Sequence, residues 1–180
     1  CAIYMFDISS NCNQCDALLD EKLESHKNIR LMTFNTSYTN AKDFEKLREL
    51  IISENLDIIQ FQEISLQMKD KIKEFESIFP YNTGIKKSFG IFDSLILSKY
   101  PLIDTKVGSY SVVATNLVFK GKKISIIGIH LVPVATKTSF NYALLQTDYL
   151  KTIVNNTSSE LIVLGDLNMT STSKRFTDFL

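Results

Sequence analysis

Leu161-Ile-Val-Leu-Gly-Asp-Leu-Asn168 reads as a buried strand that runs into a turn carrying a carboxylate and an amide. A carboxylate such as Asp166 at the end of a buried strand is costly unless it is paired, hydrogen-bonded or bound to a cation. A second stretch repeats the pattern: Leu56–Ile64 is a buried strand whose last residues include Gln62-Glu63. Two further apolar runs, Ile29–Asn35 and Ile124–Leu131, bring Asn35 and His130 to their ends. Strand ends on one edge of a sheet converge, so these four chain-distant segments can meet in one cleft. Two carboxylates there, Glu63 and Asp166, invite a hard, oxygen-liganded cation such as magnesium or manganese.

Each residue also has a purely structural explanation. Asn35 suits a turn, Glu63 suits the amino end of a following helix, His130 suits a satisfied, partly buried histidine, and Gly165-Asp166 suits a turn after a strand. The combination carries the functional reading.

Between these strands, Ala41–Asn55 places Phe44, Leu47, Leu50, Ile51 and Ile52 at helical spacing, which predicts an amphipathic helix on a sheet. A second helix is expected over Leu66–Ile78, and strands over Tyr81–Ile85 and Ile91–Ser98, closing on Lys99-Tyr100-Pro101. Val112–Phe119 and Ile124–Leu131 flank Lys120-Gly-Lys-Lys123, a hairpin signal. A third helix over Ser139–Asn155 would turn Tyr142, Leu145, Tyr149 and Ile153 to one side. The order predicts an α/β fold, two packed mixed sheets sandwiched by helices. Residues 1–28 read as a leader or linker with a helical turn around Ala17–Ser25, and 29–180 as one domain.

The 180 residues, 44% hydrophobic and 22% charged, suit a globular domain with a real core. Lys plus Arg and Asp plus Glu both number 20, so no overall positive field holds nucleic acid, which argues against a non-specific binding module but not against a nuclease. Cys12-Asn-Gln-Cys15 has a redox or half-zinc spacing without a second pair to complete a site, so Cys1, Cys12 and Cys15 read as a local disulfide or incidental thiols. The apolar Cys1–Phe6 is too short to span a membrane. It is compatible with an exported or membrane-attached protein held by a preceding segment, and equally with a cytoplasmic one.

Phe34-Asn35, Gln62-Glu63, His130-Leu-Val-Pro133 and Gly165-Asp-Leu-Asn168, together with Ile96-Leu-Ser-Lys-Tyr-Pro101, resemble the ordered motifs of the endonuclease/exonuclease/phosphatase superfamily, the DNase I-like proteins. The match runs from Ile29 to about Thr170. The resemblance implies a four-layered α/β sandwich and Mg2+- or Mn2+-dependent hydrolysis of a phosphoester by activated water. Carried over by residue, Glu63 would bind the metal with Asn35 beside it. Asp166 would orient or deprotonate the water, Asn168 would steady it and a phosphoryl oxygen, and His130 would contact the phosphate or assist the leaving oxygen. The family's closing acidic residue and Ser-Asp-His-like motif have no counterpart before Leu180. The expectation is therefore a carboxy-terminally truncated member, its last strands missing, with little activity of its own.

Substrate class, whether nucleic acid, phosphoinositide or another phosphodiester, is not carried by the shared motifs. Lys86 and Lys99 are candidate phosphate contacts, with Lys87 and the Lys120–Lys123 turn as further basic points, although exposed lysines are usually only solvated. A monomer without an obligate protein partner is expected. The alternative reading is a non-catalytic member acting as a binding or regulatory module.

Overall fold

The computed structural model of the protein describes residues 3–9, 28–37, 43–84, 94–170 and 172–179. Its first sheet is built on strands β2 (Asn28–Asn35) and β3 (Ile58–Gln62), which run parallel with Asn35 opposite Gln62. Parallel neighbours need a crossover. Helix α1 (Phe44–Ser53) supplies it, with Phe44, Leu47 and Ile51 turned inward. Strands β5 (Ser94–Ser98) and β4 (Tyr81–Asn82) extend the sheet antiparallel beyond β3. On the other side β1 (Ile3–Ser9) pairs antiparallel with β2, giving the order β1-β2-β3-β5-β4.

The second sheet has the order β6-β7-β8-β9, formed by Ile103–Val107, Val113–Phe119, Lys122–His130 and Glu160–Asp166. β7 and β8 form the expected hairpin. Phe119 pairs with Lys122, and the intervening Lys120 and Gly121 both take positive φ, +48° and +73°, as a two-residue turn matched to strand twist requires. β8 and β9 run parallel through helix α3 (Lys137–Asn155), with His130 opposite Asp166. Helix α2 (Leu66–Ile72) follows β3, and α4 (Lys174–Phe179) follows β9. The succession β2-α1-β3-α2 is thus repeated as β8-α3-β9-α4.

Three buried clusters hold the layers together. Between the sheets, Ile29, Leu31, Ile58 and Ile96 meet Val113, Leu117, Phe119, Ile124, Ile126 and Leu164. Outside the first sheet, Met32, Ile59, Phe61, Leu95 and Leu97 pack against Phe44, Leu47, Ile51, Met68 and Ile72 of α1 and α2. Outside the second, Ile127 and Ile129 pack against Leu150 of α3. The result is the α/β/β/α sandwich expected from the order of elements. Side chains packed on both faces of the first sheet leave every residue of β3 and of β5 buried.

Four elements differ from the sequence reading. Ile3–Ser9, read as part of a leader, forms β1 in full register with β2, from Ile3 opposite Phe34 to Ser9 opposite Asn28. Without it, the outer edge of a buried strand would leave its backbone groups unpaired. β6 and α4 are not foreseen, since Ile103–Val107 has an exposed, polar pattern and α4 is short. The inward face of α3 is Ala143, Gln146 and Leu150, whereas Leu145, expected on that face, is 53% exposed. The helical turn around Ala17–Ser25, the three cysteines, and Lys86 with Lys87 lie outside the described residues. Among the described residues no helix is long and apolar enough to cross a membrane.

Candidate active site

Both parallel strand pairs finish at the same end of the sandwich, and each finishes in the same way. Beyond β2, the Thr36 N–H donates to Gln62 O at 2.9 Å, and beyond β8, the Leu131 N–H donates to Asp166 O at 2.9 Å. The Asn35–Gln62 rung of one sheet and the His130–Asp166 rung of the other therefore face each other across the sandwich.

Glu63, one residue past β3, has φ +54°, a left-handed conformation that costs a non-glycine residue roughly 1–3 kcal/mol. Thr36 stabilises this turn: its hydroxyl donates to Glu63 O at 2.6 Å and to Gln62 O at 3.0 Å. The helix that follows is capped by Ser65, whose Oγ accepts the Met68 N–H at 3.1 Å. Glu63 is thus not the helix cap, and its strained turn is left to be explained by what its carboxylate meets.

That carboxylate meets Asn35. The amide Nδ2 of Asn35 donates to Glu63 Oε1 at 2.9 Å and to Asp166 Oδ2 at 3.2 Å, while its Oδ1 accepts the Ser37 N–H at 2.8 Å. One amide thus joins carboxylates from two sheets. His130 Nε2 lies 3.5 Å from Glu63 Oε1. The imidazole is fully buried. Burial pushes its pKa below the ordinary value, and the nearby Glu63 and Asp166 carboxylates act in the opposite direction.

Asp166 is oriented from both sides, since its Oδ1 accepts the Asn168 N–H at 2.9 Å. Asn168 has φ +47°, and its Nδ2 donates to Leu131 O at 2.6 Å. The side chain of Asn168 thus ties the Asp166 turn to the His130 segment. Gly165 admits the close approach of these strands: a Cβ there would lie 1.9 Å from Ile129 O.

A polar network lies behind these groups in the otherwise apolar inter-sheet core. Thr33 Oγ1 donates to Gln60 Oε1 at 2.6 Å, and Gln62 Nε2 donates to Thr33 Oγ1 at 2.6 Å and to Gln60 Oε1. Gln60 Nε2 donates to Ser94 Oγ at 2.8 Å and, across the sheets, to Ile129 O at 3.4 Å. Apart from Gln62, quoted with Glu63, the sequence does not single out this supporting layer, because a glutamine such as Gln60 inside an apolar strand carries no distinctive signal.

The sequence candidates Asn35, Glu63, His130, Asp166 and Asn168 therefore come together from four strand ends. Lys99 does not join them. β5 runs antiparallel to β3, with Ser98 opposite Ile58 and Ser94 opposite Gln62, so Lys99 lies at the far end. There its Nζ donates to Asn55 Oδ1 at 2.8 Å and sits 3.5 Å from Asp57 Oδ1. The Lys120–Lys123 turn is likewise at the start of β8, away from His130. Lys122 and Lys123 pair there with Glu160 at 3.2 Å and Asp104 at 3.5 Å.

A hard divalent cation takes oxygen donors and often only one or two carboxylates, water completing its shell. Glu63 and Asp166 present carboxylate oxygens to one shared amide. The two carboxylates are hard oxygen donors of the kind magnesium or manganese takes, whereas the Asn35 amide turns its Nδ2 to them and its Oδ1 to the Ser37 N–H, and so steadies the carboxylates. Among the described residues no group of three or more His, Cys, Asp or Glu side chains is placed to enclose an ion, so the fit is to an open site rather than a protein cage.

The fold is shared with solved structures. A β-hairpin deletion mutant of beta toxin from Staphylococcus aureus superposes with TM-score 0.62 at 20% identity, over 83% of this chain and 70% of that one. Sphingomyelinase C from Streptomyces griseocarneus gives 0.61 at 18% identity, over 84% and 68%. Humanized TDP2 of D. rerio gives 0.68 at 13% identity, over 84% and 66%. The chain thus spans about two thirds of the length of these structures. No curated protein matches the sequence. The model of the Endonuclease/Exonuclease/phosphatase family matches residues 32–180, and the chain accordingly belongs to that family, whose members hydrolyse phosphoesters and generally depend on a divalent metal.

Proposed function

We propose that the protein is a divalent-metal-dependent phosphoester hydrolase that activates water for attack on phosphorus. The observation that carries this reading is the Asn35 amide, which gathers Glu63 and Asp166 from separate sheets beside the buried His130. Such a convergence of acidic groups on strained turns has no need in a merely structural sheet edge.

Glu63, steadied by Asn35, would hold magnesium or manganese, and the ion supplies neutralisation of the non-bridging phosphoryl oxygens. Asp166 is fixed by two hydrogen bonds, one at each oxygen, and orients the attacking water and accepts its proton. Asn168 keeps that carboxylate in register with the His130 segment. His130, whose Nε2 lies 3.5 Å from Glu63 Oε1, would donate a ring N–H to a phosphoryl or leaving oxygen.

Magnesium-dependent cleavage by the full chain of nucleic acid, a phosphoinositide, sphingomyelin and a generic phosphodiester tests the proposal. Sphingomyelin is included because of the likeness to a sphingomyelinase C. Asp166→Ala is expected to lower turnover by about 10²–10⁴-fold, the range for a general base. Glu63→Gln is expected to abolish the rise in Tm that magnesium gives. No turnover on any of these substrates, with no magnesium-dependent change in Tm, would instead support a non-catalytic binding module.

A further inference from the structure

Gln146 sits in the middle of α3, fully buried, on the inward face where Ala143 and Leu150 pack against the sheet. An apolar residue would fill this position without the desolvation that an amide suffers, about 1–3 kcal/mol if left unpaired. The amide is fully engaged with the main chain of two other segments. Its Nε2 donates to His130 O at 3.1 Å and to Tyr110 O at 3.0 Å, and its Oε1 accepts the Val132 N–H at 2.8 Å.

These contacts complete a set. From His130 O to the Val132 N–H, the chain presents four consecutive backbone polar groups. Gln146 takes the first and the last, Asp166 O takes the Leu131 N–H, and Asn168 Nδ2 takes Leu131 O. The peptide planes after His130 are fixed on one side by the Asp166–Asn168 turn and on the other by α3. The third contact of Gln146 falls on a turn in which Tyr110 and Ser111 both have positive φ, +61° and +60°, and whose Tyr110 ring packs on Tyr142 and Tyr149 of α3.

We propose that Gln146 is a positioning residue of the candidate site: through the His130 carbonyl and the Val132 amide it sets the imidazole of His130 against Glu63 and Asp166. The proposal rests on the hydrolase reading for its effect on turnover, but not for its effect on the imidazole. A misplacement of about 1 Å at a reacting group costs on the order of 10²-fold in rate, so the loss of two tethers is enough to matter.

The test compares Gln146→Met, similar in length but without hydrogen bonds, and Gln146→Glu, which keeps the acceptor for Val132 and loses both donors. Both are made in a His26→Gln background, where His130 is the remaining imidazole of a chain with 2 histidines. The His130 ring resonances, the magnesium affinity, and kcat and KM on a generic phosphodiester are measured. The proposal expects shifted His130 resonances and a kcat lowered about 10- to 100-fold, with KM and magnesium affinity within about twofold of the parent. Wild-type resonances and kcat in a folded variant with lowered Tm would show a structural role alone and overturn it. A parent without turnover would defeat the hydrolase reading, and the resonances would still decide the positioning. Should neither variant fold, exchange of the Gln146 side-chain amide protons in the parent decides: slow exchange supports both donated bonds, and rapid exchange overturns the proposal.

Discussion

Replacing Gly165 by alanine should destabilise the protein strongly, and the structure separates the reasons. Gly165 is paired with Ile129 across the parallel β8–β9 ladder. Its φ is +145°, and an added Cβ would lie 1.9 Å from Ile129 O and 2.8 Å from Ile129 C. The unfavourable backbone conformation contributes roughly 1–3 kcal/mol. The overlap is with main chain of the paired strand, one rung from the end of the ladder, so relief requires the end of β9 to move, for about another 1–3 kcal/mol. The sum, roughly 2–6 kcal/mol, is a large part of the ~5–15 kcal/mol that holds a typical domain together. With a urea m-value of about 2 kcal/mol/M, the midpoint should fall by about 1–3 M. Gly84→Ala is the control, because φ there is +72° but nothing lies within 4 Å of the added Cβ, and only the backbone cost of about 1–2 kcal/mol applies. If urea unfolding shows Gly165→Ala to be no worse than Gly84→Ala, the close-approach argument fails.

Other substitutions probe the core, the packing of α3 and the carboxylate pair. Tyr100 is 1% exposed and its hydroxyl has no hydrogen-bond partner among the described residues, so Tyr100→Phe should raise stability by about 1 kcal/mol, and a lower midpoint in urea would contradict this. On α3, Leu150→Ala should cost about 2–5 kcal/mol. Leu145→Ser on the exposed side should stay within about 0.5 kcal/mol of the parent, and equal losses would restore the sequence-based helix face. Asn35→Ala removes the shared donor of two carboxylates and should lower Tm in EDTA while enlarging the gain on adding magnesium. An unchanged gain would separate Asn35 from the cation site.

The layers of the fold are readable because Ile58–Gln62 and Ser94–Ser98 are buried on both faces, and because Lys120-Gly121 marks the hairpin. The site is readable for a related reason. Asn35, Glu63, His130 and Asp166 stand where polar residues abruptly replace an apolar run, and that change is local in sequence. β1 escapes such a reading because its partner, β2, is what makes it a strand, and pairing is not a local property. The face of α3 is misjudged because Leu145 and Tyr149 share a helical period with Tyr142, while the residue that decides the orientation is Gln146. A buried glutamine looks like a surface residue until the carbonyls it serves are located. Lys99 looks available for phosphate for the opposite reason, since its engagement with Asn55 depends on residues distant in the chain.

The bridge made by Asn35 between Glu63 and Asp166 has a mechanical meaning as well as a chemical one. Elsewhere the two sheets adhere mainly through apolar contact, which resists separation but is weakly directional and offers little resistance to sliding. A bound ligand that grips both carboxylates would act as a rivet between the two halves of the sandwich. Its binding energy would then be distributed over the whole protein. Occupancy should be legible far from the site, in slower hydrogen exchange at the backbone amides of Leu31 in β2 and Ile126 in β8, where the sheets face one another.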